Sequence, residues 1–336
     1  MKNQINTFLI VLSILFVGCS SNREFPEVKN LSNYKNTEFA PTLEQKLKDD
    51  KNAVYSASLL FAWDELRNQI KDPIEIGNEY PDLMVLNQSE SFQNVLKDDE
   101  YTVSAEIESA EIKVTAAFDK NLPFKFDLQS FTNKLIFDGQ KVASFGVNGS
   151  DKYQMLESVR IIYYKNDNNF IIKLLPKDKN HEIVLFKSEK KFSTLIAMNN
   201  EIARCTKIGL SEEKNSKLYW KYRFEYEDEL VIPKFNFNIE TDYPVFENNK
   251  LTTKLDSYTI ESVLQRTAFI LDESGAKIES EATEETTSEE GIAEEDIKKP
   301  KKMLFDKPFL ILLKRTDNKN PYFALWNANA ELMTKE

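Results

Sequence analysis

The chain has 336 residues, with 44 Lys and Arg against 55 Asp and Glu, for a formal net charge of −11. That balance supplies no basic face for phosphates and excludes nucleic acid as a partner. Hydrophobic residues make up 41% of the chain and aromatic residues 12%, enough for a substantial core, and the length fits one large mixed domain.

The N-terminus reads as a targeting segment. Lys2 gives the positive start, and Phe8 to Val17 is a continuous apolar run. Spanning a bilayer takes roughly 20 apolar residues, so this run has the length of a cleaved signal-peptide core instead. Gly18-Cys19-Ser20 follows. A small residue and then Cys, directly after the apolar run, is similar to the lipobox of bacterial lipoproteins. The resemblance implies that residues 1–18 are removed and that Cys19 is acylated. Residues 19–45 are then a polar tether to a domain over 46–336. Several acyl chains on one Cys suffice for stable anchoring, which places the protein on the cell envelope, at the outer membrane on its periplasmic or surface side.

Residues 52–70 carry Leu59, Leu60, Trp63, Leu66 and Ile70 at helical spacing and predict a core-facing helix. Residues 103–118 alternate as a strand. Asp138-Gly139 between apolar runs in 133–147 predicts a hairpin. Residues 158–174 read as two strands joined at Asn166–Asn169, with a third at 182–187. Residues 191–206 are helical by spacing, with Phe192, Leu195, Ile196 and Ile202 on one side. Residues 217–240, rich in aromatic and β-branched side chains, predict strand. So do 258–271 after a short turn, 303–314 and 321–328. The mixture predicts an α+β fold.

Catalytic signatures are absent. His181 is the single histidine, in a turn-like context that suits a cap. After lipidation Cys205 is the one remaining thiol, expected as a buried small hydrophobe. One His and one Cys far apart do not make a zinc site. Eight glycines provide no phosphate-cradling loop. No enzyme, metal or cofactor is expected.

The segment 272–302 stands apart. From Asp272 to Asp296 there are eleven acidic residues and a single basic one, Lys277, and then come Lys298, Lys299, Lys301 and Lys302. Composition of this kind predicts a solvated linker, yet it lies between two strands, where a long loop is functional or disordered.

Several motifs around it are similar to those of the serpin family. Phe305-Asp306-Lys307-Pro308-Phe309-Leu310-Ile311-Leu312 and Phe323-Ala324-Leu325-Trp326-Asn327 resemble the family's terminal pattern. Val231-Ile232-Pro233-Lys234-Phe235 resembles its L-P-K-F strand. Gln265-Arg266-Thr267-Ala268, then Asp272-Glu273-Ser274-Gly275-Ala276, resembles H-K-A and E-E-G-T ahead of the reactive-centre loop. Asn52 and Ser56 match the start of an N-terminal N-x-x-x-S pattern, and Val114–Phe118 is weakly like V-x-N-A-x-Y-F.

The resemblance implies a large central sheet, a second sheet and surrounding helices, with some helices and strands of the N-terminal half missing. It also implies an exposed loop over 275–302. In inhibitory members a protease cleaves that loop, and the loop then inserts into the central sheet. Glu273 and Gly275 would be the hinge, and Ala276, Ile278, Ser280 and Ala282 the face that inserts, since alternate side chains of a strand share a face. Counting from Gly275 sets the cleaved bond near Glu289 or Glu290; counting back from Phe305 sets it near Ile297 or Lys298. Glu284 on the inserting face argues against full insertion, because an unpaired buried carboxylate is costly. Three readings stay open: a monomeric protease inhibitor, a non-inhibitory serpin-like lipoprotein binding another envelope protein, and an unrelated envelope lipoprotein.

Overall fold

A computed structural model of the chain describes residues 23–108, 111–148, 153–254, 256–280 and 299–336. The elements follow in chain order. The first are β1 (Lys29–Asn30), β2 (Thr37–Phe39), β3 (Asn52–Ser56), α1 (Ser58–Ile70) and α2 (Pro81–Gln88). Next come β4 (Thr102–Glu108), β5 (Glu111–Pro123), β6 (Gln129–Phe137), β7 (Gln140–Val147), β8 (Val159–Asn166), β9 (Asn169–Leu174) and β10 (His181–Lys187). Then α3 (Leu195–Glu212) precedes β11 (Glu229–Pro233), β12 (Phe235–Asp242), β13 (Lys250–Thr252), β14 (Ser257–Thr259) and β15 (Leu264–Asp272). The chain closes with β16 (Gly275–Ser280), β17 (Lys302–Leu304), β18 (Phe309–Arg315) and β19 (Pro321–Asn327).

The strands form a central six-stranded sheet in the order β1-β12-β15-β16-β5-β4 and a seven-stranded back sheet in the order β2-β3-β19-β18-β10-β9-β8. A four-stranded side sheet runs β17-β11-β7-β6, and β13-β14 pair alone. The apolar run of β18 shows why these layers form. Phe309, Ile311 and Leu313 belong to the core shared with the central sheet, while Leu310 and Leu312 join Ile196, Met198 and Ile202 of α3 on the other side. A strand covered on both faces needs no polar alternation. The fold is therefore α+β, with helices packed outside two large sheets.

Local signals hold at several places. Asp138 and Gly139 have φ of 49° and 73°, the two positive values of a type I′ turn, and β6 pairs with β7 directly across them. Asn166 pairs with Asn169 across the β8–β9 turn. The Thr194 hydroxyl caps α3 by accepting from Ala197 N at 3.2 Å. Cys205 is 3% exposed, as expected.

Other expectations are corrected. Residues 52–56 are strand rather than the first turn of a helix, because all five side chains are buried between β2 and β19. Residues 103–118 are parts of two antiparallel strands, β4 and β5. Tyr219–Tyr222 is a 3-10 turn, not strand. The expected strand 303–314 breaks at Pro308, which cannot donate to a ladder. Residues 23–45 are no free tether: β1 pairs with β12, β2 with β3, and Leu43 is fully buried.

Asn52 locks the first and last parts of the back sheet. Its Oδ1 accepts from Ala328 N at 2.9 Å and Asn329 N at 3.0 Å, and its Nδ2 donates to Asn329 Oδ1 at 2.9 Å. Asn52→Ala strands two backbone donors and is predicted to lower unfolding free energy by about 2–4 kcal/mol, read by denaturant titration.

Candidate functional site

The site is built on the Asp272–Gly275 corner. Gln265, Thr267, Phe269 and Leu271 of β15 face the core, and the strand turns over Glu273 and Ser274 into β16. Phe124 N donates to Ser274 O and Leu128 N to Glu273 O, both at 2.8 Å, which fixes the corner against the end of β5. Glu273 also pairs with Lys234.

From this corner β16 runs between two partners. Gly275–Glu279 pair with Asp272–Ala268 of β15, and Gly275–Ser280 with Pro123–Phe118 of β5, antiparallel on both sides. Gly275 has φ of 138°, and a Cβ there would lie 2.3 Å from Leu122 O. Glycine is thus required for β16 to approach β5. Ala276 and Ile278 are fully buried beside Phe269, Leu271 and Leu122. On the opposite face Lys277 Nζ lies 4.4 Å from the Phe25 ring centroid, and Glu279 accepts from Arg266 Nη1 at 2.8 Å. The six residues expected to begin an exposed loop are thus a strand inside the central sheet. Ser280 takes its backbone place opposite Phe118. Cys19, Ala282, Glu289, Glu290, Ile297 and Lys298 lie outside the described residues.

A charged cluster lies behind β16. Lys120, the β5 partner of Ile278, donates to Glu100 Oε1 at 2.8 Å. Glu100 also accepts from Arg315 Nη1 at 2.6 Å and meets His181 Nε2 at 2.9 Å. His181 is therefore no turn cap: it starts β10 opposite Arg315, 2% exposed, with its ring edge-on to Tyr322. Burial pushes the Glu100 carboxyl up, but the Lys120 ammonium, the Lys97 N–H and His181 outweigh it and hold the group at about 2. Burial also lowers His181, against the pull of Glu100.

The chain re-enters the described residues just before a second buried pair. Lys301 Nζ meets Asp228 Oδ2 at 2.5 Å, with both side chains 1% exposed, and Lys301 N donates to Asp228 Oδ1 at 2.7 Å. Lys302 pairs with Glu229 at 3.2 Å. These lysines, expected as part of a solvated linker, hold β17 beside β11. Sequence reasoning missed Arg23, Lys120, Glu100, Arg315 and Asp228. Each acts through a partner far along the chain, so no local pattern marks it. Among the described residues no group of three or more His, Cys, Asp or Glu side chains is placed to hold a metal ion.

No protein-family model and no curated protein matches the chain. Among solved structures it is similar to a cleaved serpin, Serpin 42Da, with TM-score 0.37 and 11% identity, over 66% of this chain and 56% of that one. Thyroxine-binding globulin in complex with thyroxine gives TM-score 0.34 and 9% identity, over 65% and 55%. A loop-inserted structure of cleaved ovalbumin gives TM-score 0.35 and 13% identity, over 79% and 64%. The matched part spans little more than half the length of the first two. Superpositions this loose carry no argument of their own; the structure places the serpin-like motifs as follows. Val231–Phe235 passes from the side sheet into β12, Gln265–Ala268 lies in β15, and Gly275 opens β16. Phe309–Leu312 and Phe323–Asn327 form the β18–β19 hairpin, next to the β3 strand of Asn52 and Ser56. The motifs that resemble the serpin family thus lie in the central, side and back sheets of an α+β fold with three α-helices among the described residues.

Two predictions follow from this geometry. Gly275→Ala sets a methyl against Leu122 O and is predicted to release β16, read as faster cleavage by a nonspecific protease at 275–280. Glu100 lies below its ordinary value of 4.5 when folded, so its stabilisation is complete above that pH and is lost as pH falls toward 2. His181, lowered from 6.5, acts in the same direction. The melting temperature is predicted to fall as pH drops below 6.5 and most steeply between 4.5 and 2, and Glu100→Gln to flatten the lower part of that profile while destabilising at pH 7.

Proposed function

We infer that this chain is a serpin-like binding protein of the bacterial cell envelope, anchored through lipid on Cys19, and not a trapping inhibitor of proteases or an enzyme. One observation carries the reading: β16 is paired on both sides in a chain that has not been cut. In a cleavage-driven inhibitor, that pairing is the stabilisation released after cleavage. Here its register leaves little to add on the β15 side, since that strand begins at Leu264. Continued past Ser280, the strand would set Glu281, Ala282 and Thr283 opposite Arg266, Gln265 and Leu264, where β15 ends. Glu284 would find no β15 partner at all.

The charge pattern favours a basic partner. The acidic residues of 281–296 are followed by lysines, of which Lys301 and Lys302 are tied to Asp228 and Glu229. With those two cations tied up, only Lys298 and Lys299 remain beside eight carboxylates in 281–296, so the segment keeps a net negative charge suited to a positively charged protein surface. The apolar run before Gly18-Cys19 supports the anchor.

Cleavage within 281–298 by a Glu-specific protease, followed by a thermal melt, tests the reading. The melting temperature is predicted to stay within about 2 °C of the intact protein, since few further pairs with β15 can form and Glu284 has none there. A rise of more than roughly 10 °C, or a protease complex that survives denaturant, would instead establish the inhibitor. For the anchor, a palmitate analogue fed to expressing cells should label the wild-type chain and leave Cys19→Ala unlabelled.

A further inference from the structure

The N-terminal described segment crosses the outer face of the central sheet. Arg23 stands at one end: its guanidinium donates to Asp272 Oδ1 and Gly275 O, both at 3.0 Å, and to Asn121 Oδ1 at 3.2 Å. It thereby joins β15, β16 and β5 at one point. The Arg23 carbonyl accepts from Lys277 Nζ at 3.3 Å, and Phe25 lies under the same ammonium. The Pro26 carbonyl accepts from Asn238 Nδ2 of β12 at 2.8 Å. Lys29 and Asn30 then pair as β1 with Ile239 and Glu240 on the far edge.

The reach is consistent with a taut crossing. From β5 to β1 there are four strand spacings, about 19 Å in all. The chain from Arg23 to Lys29 spans at most about 20 Å when extended. Burial shows what lies beneath. Ala268 and Ile270 alternate with the core-facing Phe269 and Leu271, so they point outward, yet they are 1% and 4% exposed. Neither belongs to the two main hydrophobic clusters.

We propose that Arg23–Asn30 is a clasp that keeps β16 in the central sheet, so that the state of the chain's N-terminal segment controls whether 275–280 stays paired. β16 is a short strand whose inner face offers only Ala276 and Ile278 to the core, and its outer face is polar. The clasp adds contacts to the residues on that outer face, and it does so from both neighbouring strands at once. Releasing it exposes Ala268 and Ile270 and removes the hydrogen bond to Gly275 O.

Amide hydrogen exchange on the full chain tests this, comparing 276–279 with 311–313 of β18 as an internal standard. Arg23→Ala is expected to speed exchange at 276–279 on the order of tenfold, the equivalent of one charge-assisted hydrogen bond, with 311–313 unchanged. Phe25→Ala removes the ring under Lys277 and leaves the hydrogen bonds of β16 in place, and is expected to act in the same direction more weakly. Unchanged exchange at 276–279 in both variants, or an equal rise at 311–313, overturns the proposal.

Discussion

The pairing of β16 with both β15 and β5 is the constraint on which the rest depends. Six residues close the central sheet; without them the facing edges of β15 and β5 would each present unpaired N–H and C=O groups beside an apolar core. The residues chosen suit the slot. Gly275 lets the backbones approach, Ala276 fits against Leu122, and Ile278 fills the space beside Phe269. Lys277 and Glu279 find charged or aromatic partners on the outer face.

What surrounds the slot is electrostatic. Glu100 gathers Lys120, His181 and Arg315, and so ties the central sheet to two strands of the back sheet. Such a buried cluster is not a large net source of stability, but removing one member leaves the others uncompensated. The Lys301–Asp228 pair does the same beyond the acidic segment, fixing β17 to the side sheet. The described residues on either side of 281–298 are therefore held in sheets, β16 in the central one and β17 in the side one.

Much of this was legible from local pattern. The Asp138-Gly139 turn, the Asn166–Asn169 turn, the alternation of Ala276 and Ile278 against Lys277 and Glu279, and the burial of Cys205 each follow from a few neighbouring residues. The failures share a cause. Asn52–Ser56 reads as helix because it is buried on both faces and shows no alternation. The composition of 272–302 reads as solvated because net charge was averaged over a window in which only the order of side chains along 275–280 decides. Arg23 and Lys301 have meaning only through partners more than 70 residues away, and Glu100 gains its main ones at 20, 81 and 215 residues' distance.

The most direct measurement of the central claim is disulfide trapping between β16 and β5. Glu279 and Asp119 are Cα partners with side chains on the outer face, within reach of a disulfide for neighbouring strands. Glu279→Cys with Asp119→Cys in the intact, uncleaved chain should form that disulfide on mild oxidation, seen by peptide mapping as one linked pair. Two thiols that stay free and react rapidly with maleimide would contradict the account, because they would put residue 279 outside the sheet.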